Sequence, residues 1–174
     1  MITISEPKKE DARGSIQVQY DAWLATYPNE KAGITLEDIK DRLKNAFEPD
    51  RIEKRERVIM NPEPGEKMLV AKDDEKVVGF CMGSVQEGKN QLYAMYILPD
   101  YQGQGIGSCL WNEIIKFFDP NKDIFVELAD YNEPAISFYK KFGFVDTGRR
   151  FTDDHFKMKS GTLLPLMEMK ISVK

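Results

Sequence analysis

The chain has 174 residues, with 25 Lys and Arg against 29 Asp and Glu, so its formal net charge is −4. This balance disfavours a nucleic-acid or anionic-membrane partner, because both require clustered positive charge. A single histidine, His155, argues against a histidine-based triad or metal site, and Cys81 and Cys109 are expected to be buried, reduced thiols of a cytoplasmic protein.

The first third of the chain predicts one short strand followed by helices. Residues 2–4 are typical of a strand, and Pro7 suits the start of a helix whose apolar residues recur at helical spacing until Pro28. Residues 35–38 resemble a capping box and predict the start of a second helix. The charges of residues 49–58 are of mixed sign, which predicts a solvated helix face rather than a nucleic-acid site.

The rest of the chain predicts strands with intervening helices. Residues 91–98 are apolar on both faces, which is typical of a central strand covered on both sides. Further strands are expected at residues 68–72, 76–85, 124–128, 144–150 and 163–173, and helices at residues 106–118 and 134–142. We therefore predict an α/β fold of the α+β type, with a mixed, mostly antiparallel sheet of about seven strands flanked by about four helices.

A glycine-rich turn links the central strand to the helix after it. Gly103, Gly105 and Gly107 alternate there, and their unhindered N–H groups at a helix N-terminus form an anion site suited to a pyrophosphate. The turn lacks the lysine of a P-loop, and the last glycine follows too closely for a dinucleotide fingerprint. By itself, the turn is also compatible with glycines that only permit close packing.

Two motifs resemble the GNAT superfamily of CoA-dependent N-acetyltransferases. Gln102-x-x-Gly105-x-Gly107 after Pro99 is similar to its acyl-CoA signature, and residues 132–144 are similar to its second motif. The resemblance is clear over residues 68–150. It implies one N-acetyltransferase domain over residues 1–174, acetyl-CoA or CoA as cosubstrate, no metal, and a sheet splayed between its fourth and fifth strands.

The resemblance also implies which residues hold the cofactor. The pantetheine arm would lie against the fourth strand, the turn would bind the pyrophosphate through backbone N–H groups, and the second motif would complete the site. The residues concerned are Met95, Ile97, Leu98, Gln102, Gly103, Gln104, Gly105, Ile106, Gly107, Ser108, Asn132, Phe138 and Tyr139. Asn132 would bind the arm or fix the helix that lines it.

Tyr139 matches the tyrosine that many members use as general acid toward the departing thiolate. An alternative is that Tyr139 is a core aromatic of an amphipathic helix. Some members have a catalytic glutamate at the position of Gln91, and glutamine cannot act as a base. Any base must therefore act elsewhere or through water, and Glu127 is one candidate.

The acceptor site implied by the resemblance is walled by residues 27–35 and 152–161. Candidate acceptor-binding residues are Trp23, Tyr27, Glu30, Tyr96, Asp153 and Asp154. The acidic balance of the chain slightly favours a polyamine-like amine over an aminoglycoside, an amino acid or a peptide N-terminus. A homodimer is possible.

The sequence predicts an enzyme that transfers an acetyl group from acetyl-CoA to a primary amine by direct attack, with Cys109 in the core rather than acting as a nucleophile. One alternative is a noncatalytic acyl-CoA-binding sensor or adaptor. The absence of a glutamate at position 91 favours this alternative, and the presence of Tyr139 disfavours it. A nucleotide-binding regulatory domain remains only if the glycine turn has been misinterpreted. Measuring the release of free thiol over a panel of amines distinguishes the enzyme from the noncatalytic acyl-CoA-binding module.

Overall fold

The change from helical to alternating periodicity near residue 65 corresponds to a change from helices to strands. In the computed structural model, which describes residues 1–173, the strands are β1 (Ile2–Ser5), β2 (Glu66–Asp73), β3 (Lys76–Val85), β4 (Asn90–Ile97), β5 (Ile124–Ala129), β6 (Val145–Phe151) and β7 (Leu166–Ile171). The α-helices in these residues are α1 (Asp11–Thr26), α2 (Leu36–Leu43), α3 (Pro49–Met60), α4 (Ile106–Ile114) and α5 (Glu133–Lys141). Within this range there are five α-helices, one more than predicted.

The seven strands of residues 1–173 form one sheet in the order β1-β2-β3-β4-β5-β7-β6. Neighbouring strands are antiparallel except β4 and β5, which are parallel and are connected through α4. The last strand, β7, lies between β5 and β6. The mixed, mostly antiparallel sheet predicted from the sequence is confirmed.

The sheet splays between β4 and β5, as the resemblance implied. The two strands pair only from Asn90 to Leu92, and the rest of β4 has no partner on that side. On the other side of β4, Met82 pairs with Ala94 and Gly83 with Leu92, so Tyr93 is an extra residue. Such a bulge bends a strand away from its neighbour. It therefore explains why β4 and β5 separate.

Helix boundaries and one cysteine differ from expectation. Helix α1 begins at Asp11 rather than near Pro7, whereas the capping box of α2 is present, since Thr35 Oγ1 accepts from the N–H of Asp38 and Asp38 Oδ2 accepts from that of Thr35. Cys81 is buried as predicted, but Cys109 is exposed, so its expected burial is wrong. It lies on the face of α4 opposite the buried Trp111.

Among residues 1–173, no helix is long and apolar enough to cross a membrane.

A buried ion pair joins α1 to β2 and leads to a prediction about stability. Lys72 Nζ lies 2.6 Å from Asp11 Oδ1, and both residues are buried. We expect Lys72→Met to lower the free energy of unfolding by about 3–5 kcal/mol, because it leaves a buried carboxylate without its cation. Lys40→Met, which removes the exposed Lys40–Glu37 pair, should cost no more than about 1 kcal/mol. Urea denaturation measures both losses, and equal losses would contradict the prediction.

Candidate active site

Two cavities meet where β4 and β5 separate. The glycine-turn cavity, of about 690 Å³, is lined by the turn before α4, the unpaired part of β4 and one face of α5. The arginine cavity, of about 790 Å³, is lined by α1, α3, β4 and the segment before β7. Residues shared by both linings are Tyr27, Tyr93, Ala94, Tyr96, Glu127 and Leu128. The two cavities therefore share a boundary at the gap in the sheet.

The glycine turn presents a row of free backbone donors. Helix α4 starts directly after Gly105, which has a left-handed φ of 83°. No backbone N–H group from Gly103 to Ser108 donates a hydrogen bond to any group in residues 1–173. These donors lie at the positive end of the α4 dipole, so the segment is suited to an anion.

Most predicted cofactor residues line the glycine-turn cavity, but two do not. Met95 and Ile97 line it from β4, whereas Leu98 is buried and its N–H donates to the carbonyl of Val78. Gln104 does not line the cavity either, and its side chain donates to a neighbouring carbonyl within the turn. The remaining predicted cofactor residues all line it: Gln102, Gly103, Gly105, Ile106, Gly107, Ser108, Asn132, Phe138 and Tyr139.

Side chains hold the turn and α5 in place around this cavity. Gln102 Nε2 donates to the carbonyl oxygen of Ile97 at 3.2 Å, which ties the turn to the end of β4. Asn132 Oδ1 accepts from the N–H of Ala135 and thus caps α5. Of the two expectations for Asn132, the observed contact is the one that fixes the helix.

Tyr139 is buried on the cavity face of α5. Its ring packs edge-on against Phe138 and Phe144, with centroid distances of 5.3 and 5.2 Å. Its hydroxyl makes no hydrogen bond within residues 1–173, and it is not among the fully buried unpaired atoms. Burial raises the pKa of Tyr139 well above its usual value. The phenol therefore stays protonated at neutral and mildly alkaline pH and is open to the cavity.

Two further tyrosines stand between the cavities. The hydroxyls of Tyr27 and Tyr96 lie 3.5 Å apart, and burial raises the pKa of each. Tyr131 donates to the carbonyl of Tyr27 at 2.7 Å, and burial raises the pKa of Tyr131 to about 12. These hydroxyls are therefore neutral around pH 7.

Gln91, for which the resemblance implied a catalytic glutamate in some members, is a buried amide. Gln91 lines the arginine cavity and is 5% exposed, and its Oε1 atom has no hydrogen-bond donor within residues 1–173. An unpaired buried oxygen is costly, so it favours a donor such as water or an ammonium group. Glu127 reaches both cavities but pairs with Arg149 at 3.2 Å. No three His, Cys, Asp or Glu side chains in the described part of the chain group as they would around a metal ion.

The predicted acceptor residues separate into two groups. Trp23, Tyr27 and Tyr96 line the arginine cavity, as expected for residues that pack an acceptor. The three predicted acidic residues, Glu30, Asp153 and Asp154, line neither cavity. The structure therefore does not bring the expected carboxylates to the site.

Sequence reasoning missed the cations that do line the arginine cavity: Arg42, Arg51, Lys54 and Arg55. Three of them belong to residues 49–58, which were interpreted as a solvated face. No residue of α3 is buried, and Arg51 and Lys54 are exposed as that interpretation expects, but the side of α3 that carries them also lines the cavity. The sequence signal for this cationic face is the spacing of residues 51, 54, 55 and 58 by three or four positions, which places them on one side of a helix.

Comparison with known proteins gives one family. A model of the acetyltransferase (GNAT) family matches residues 36–144. The chain is similar to the uncharacterised N-acetyltransferase YuaI of Bacillus subtilis, with 28% identity over 91% of this chain and 86% of that protein. Its fold is similar to the PaiA N-acetyltransferase of Thermoplasma acidophilum in complex with coenzyme A, with 22% identity, coverage of 98% and 99%, and a TM-score of 0.68. The fold is also similar to that of the Escherichia coli ribosomal-protein-S18-alanine N-acetyltransferase, with 18% identity, coverage of 100% of this chain and 95% of that chain, and a TM-score of 0.66.

Proposed function

The chain belongs to the acetyltransferase (GNAT) family and is an acetyl-CoA-dependent N-acetyltransferase, and on that premise we propose that it acetylates a primary amine by direct attack. The observation that carries the proposal is the meeting of two cavities at the splay of β4 and β5. One cavity suits the cofactor and the other suits the acceptor. Their shared boundary is the place where an amine could reach a thioester.

The residues of the glycine-turn cavity fit acetyl-CoA. The free N–H groups between Gly103 and Ser108 suit its pyrophosphate, because they converge at the N-terminus of α4. The unpaired edge of β4 beside Met95 and Ile97 suits the amides of the pantetheine arm, which can hydrogen-bond as an added strand does. Bound there, acetyl-CoA supplies an acetyl thioester whose carbonyl carbon accepts the amine lone pair.

We assign the proton transfers to one residue from each cavity, Tyr139 of the glycine-turn cavity and Gln91 of the arginine cavity. Tyr139, which its raised pKa keeps protonated before the reaction, would donate its hydroxyl proton toward the thiolate sulfur as the carbon–sulfur bond breaks. Solvent water would then return a proton to the phenolate. Gln91 would accept a hydrogen bond from the amine or from an intervening water through its unpaired Oε1. Because Gln91 cannot take up a proton, water would carry away the proton lost by the amine.

Release of free CoA thiol over a panel of amines tests the proposal. With acetyl-CoA saturating, we expect thiol release that depends on the amine and matches the amount of N-acetylated product. Acetyl-CoA without amine is the control for hydrolysis. If the protein binds acetyl-CoA but releases no CoA thiol in response to any amine, the result would favour the noncatalytic acyl-CoA-binding sensor or adaptor.

The rate should increase with pH over the neutral and mildly alkaline range. An alkyl amine has a pKa of about 10.4, so log kcat/KM should rise by about one for each pH unit until that value is approached. Burial raises the pKa values of Tyr139 and Tyr96, so no decline from loss of a tyrosine proton should begin near pH 10. A flat profile with chemistry rate-limiting, or a decline below the ordinary tyrosine pKa, would contradict these assignments.

A further inference from the structure

The arginine cavity carries a charge opposite to that of the whole chain. Its lining contains four cationic side chains, Arg42, Arg51, Lys54 and Arg55, and a single carboxylate, Glu127. That carboxylate pairs with Arg149. The cavity is therefore strongly cationic although the net charge of the chain is −4.

The cations are not neutralised by neighbouring acids. None of the four lies within 4.0 Å of a carboxylate of residues 1–173. Three come from α3, where Arg51, Lys54 and Arg55 share the face that lines the cavity, while Arg57 lies on another face. Unpaired like charges grouped around one space repel each other, and a bound anion would remove that cost.

Arg55 is held so that its guanidinium stays in the cavity wall. Its Nη2 atom donates to Gln19 Oε1 at 2.9 Å and its Nη1 atom to Ser15 Oγ at 3.3 Å. The guanidinium lies 5.3 Å from the ring centroid of Phe80, which in turn packs against Tyr96 at the splayed part of β4. Burial lowers the pKa of Arg55. Its partners are neutral, so they orient the charge without cancelling it.

The opposite wall also presents donors. The guanidinium of Arg42 lies over the rings of Trp23 and Phe156, at 5.5 and 5.2 Å from their centroids, and donates to the carbonyl of His155 at 2.7 Å. The indole Nε1 of Trp23 is buried and makes no hydrogen bond within residues 1–173. It lies close to the Tyr96 hydroxyl and partly offsets the rise that burial causes in the pKa of Tyr96. A buried donor without an acceptor favours a ligand that brings an oxygen.

We propose that the acceptor is a small anionic amine, which bears a carboxylate or phosphate group that Arg55, Arg51 and Lys54 bind while its amine faces Gln91 and the splay. This inference rests on the proposed function and specifies its substrate class. It reverses the preference for a polyamine that the acidic composition suggested. A polyamine would bring additional positive charge next to four cations, whereas an anionic amine would pair with them.

Matched pairs of amines test the proposal directly. γ-Aminobutyrate is compared with propylamine, phenylalanine with phenethylamine, and phosphoethanolamine with ethanolamine, with putrescine as the dication. Rates are normalised to the concentration of neutral amine. We expect the anionic member of the best pair to have a kcat/KM at least about tenfold higher, the effect of one charge-assisted hydrogen bond. A preference for putrescine or for the members that lack the anionic group would overturn the proposal, and the phosphate and carboxylate pairs distinguish the two anions.

Variants of α3 connect the preference to particular residues. Arg55→Gln should raise the KM for the best anionic amine at least about tenfold and leave the KM for acetyl-CoA and for the matched amine without the anionic group unchanged. The exposed double variant Arg51→Gln/Lys54→Gln should act in the same direction and does not depend on the Ser15 and Gln19 contacts. Arg57→Gln is the matched control and should have no effect. Equal effects on amines with and without the anionic group would overturn the assignment.

A binding measurement distinguishes failure of this inference from failure of the proposed function. With CoA present, calorimetry compares N-acetylphenylalanine with N-acetylphenethylamine on the wild type and on Arg55→Gln. If no amine is acetylated but only the carboxylate-bearing compound binds, and only to the wild type, the proposed function fails and the anion site stands. If amines are acetylated with no preference for an anion, the proposed function stands and this inference fails.

Discussion

Replacing Tyr139 by phenylalanine is expected to lower kcat by about 10²–10⁴-fold, the usual effect of removing a general acid. The change deletes only the hydroxyl, and the ring contacts with Phe138 and Phe144 remain. The hydroxyl makes no hydrogen bond within residues 1–173, so its removal leaves no partner unpaired. We therefore expect the affinity for acetyl-CoA and the free energy of unfolding to stay close to those of the wild type.

The same substitution at Tyr96 provides a comparison within the shared boundary. Tyr96 is half-buried and, like Tyr139, has a pKa raised by burial, but its hydroxyl faces that of Tyr27. Tyr96→Phe should lower kcat by less than about tenfold, as expected for a neighbour that does not donate the proton. Stopped-flow measurement of thiol release separates chemistry from product release. A fall of less than about threefold in Tyr139→Phe, with chemistry rate-limiting, would make Tyr139 a core aromatic and leave protonation to solvent.

Replacing Gly105 by valine is expected to weaken CoA binding at least about 100-fold, since loss of two charge-assisted hydrogen bonds has an effect of this size. The φ of Gly105 is 83°, a conformation that a β-branched residue rarely adopts. Empty space surrounds the position, because a Cβ there would have no atom within 4 Å. The substitution would therefore act by moving the free N–H groups of the turn, not through a clash.

Gly148 supplies a matched control for Gly105→Val. It has a φ of 82° and an equally open Cβ position, but it lies in β6 away from both cavities. Gly148→Val should bring a similar strain and keep its affinity for CoA. Calorimetric titration with CoA, together with urea denaturation of both variants, gives the comparison. Unchanged CoA affinity in a folded Gly105→Val protein would contradict the assignment of the turn.

Local patterns predicted the order and type of most elements. The apolar run before Pro99, the glycine turn and the helix after it are adjacent in the chain, so their arrangement follows from short-range geometry. The capping box of α2 is likewise a contact between residues three positions apart. Such features were predictable because they depend only on contacts between residues a few positions apart in the chain.

Single residues within correct elements were less predictable. Leu98 and Gln104 belong to the expected segments, yet one faces the core and the other bonds within the turn. Cys109 lies in a helix with a broad apolar face but points away from it. In each case the direction of one side chain depends on the exact start and rotation of its element, which a periodic pattern leaves uncertain by about one or two residues.

The sequence by itself determined the family resemblance, the mixed sheet and the location of the cofactor turn, because these depend on motifs contiguous in the chain. Only the tertiary structure decided the charge of the acceptor side. Arg55 is held at the cavity by contacts with Ser15, Gln19 and Phe80, and Arg42 is held there over the rings of Trp23 and Phe156. These residues are distant in sequence, and the sign of a cavity depends on which charged faces are turned toward it. Net charge adds every ionisable residue regardless of position, so it could not indicate that an acidic chain encloses a basic cavity.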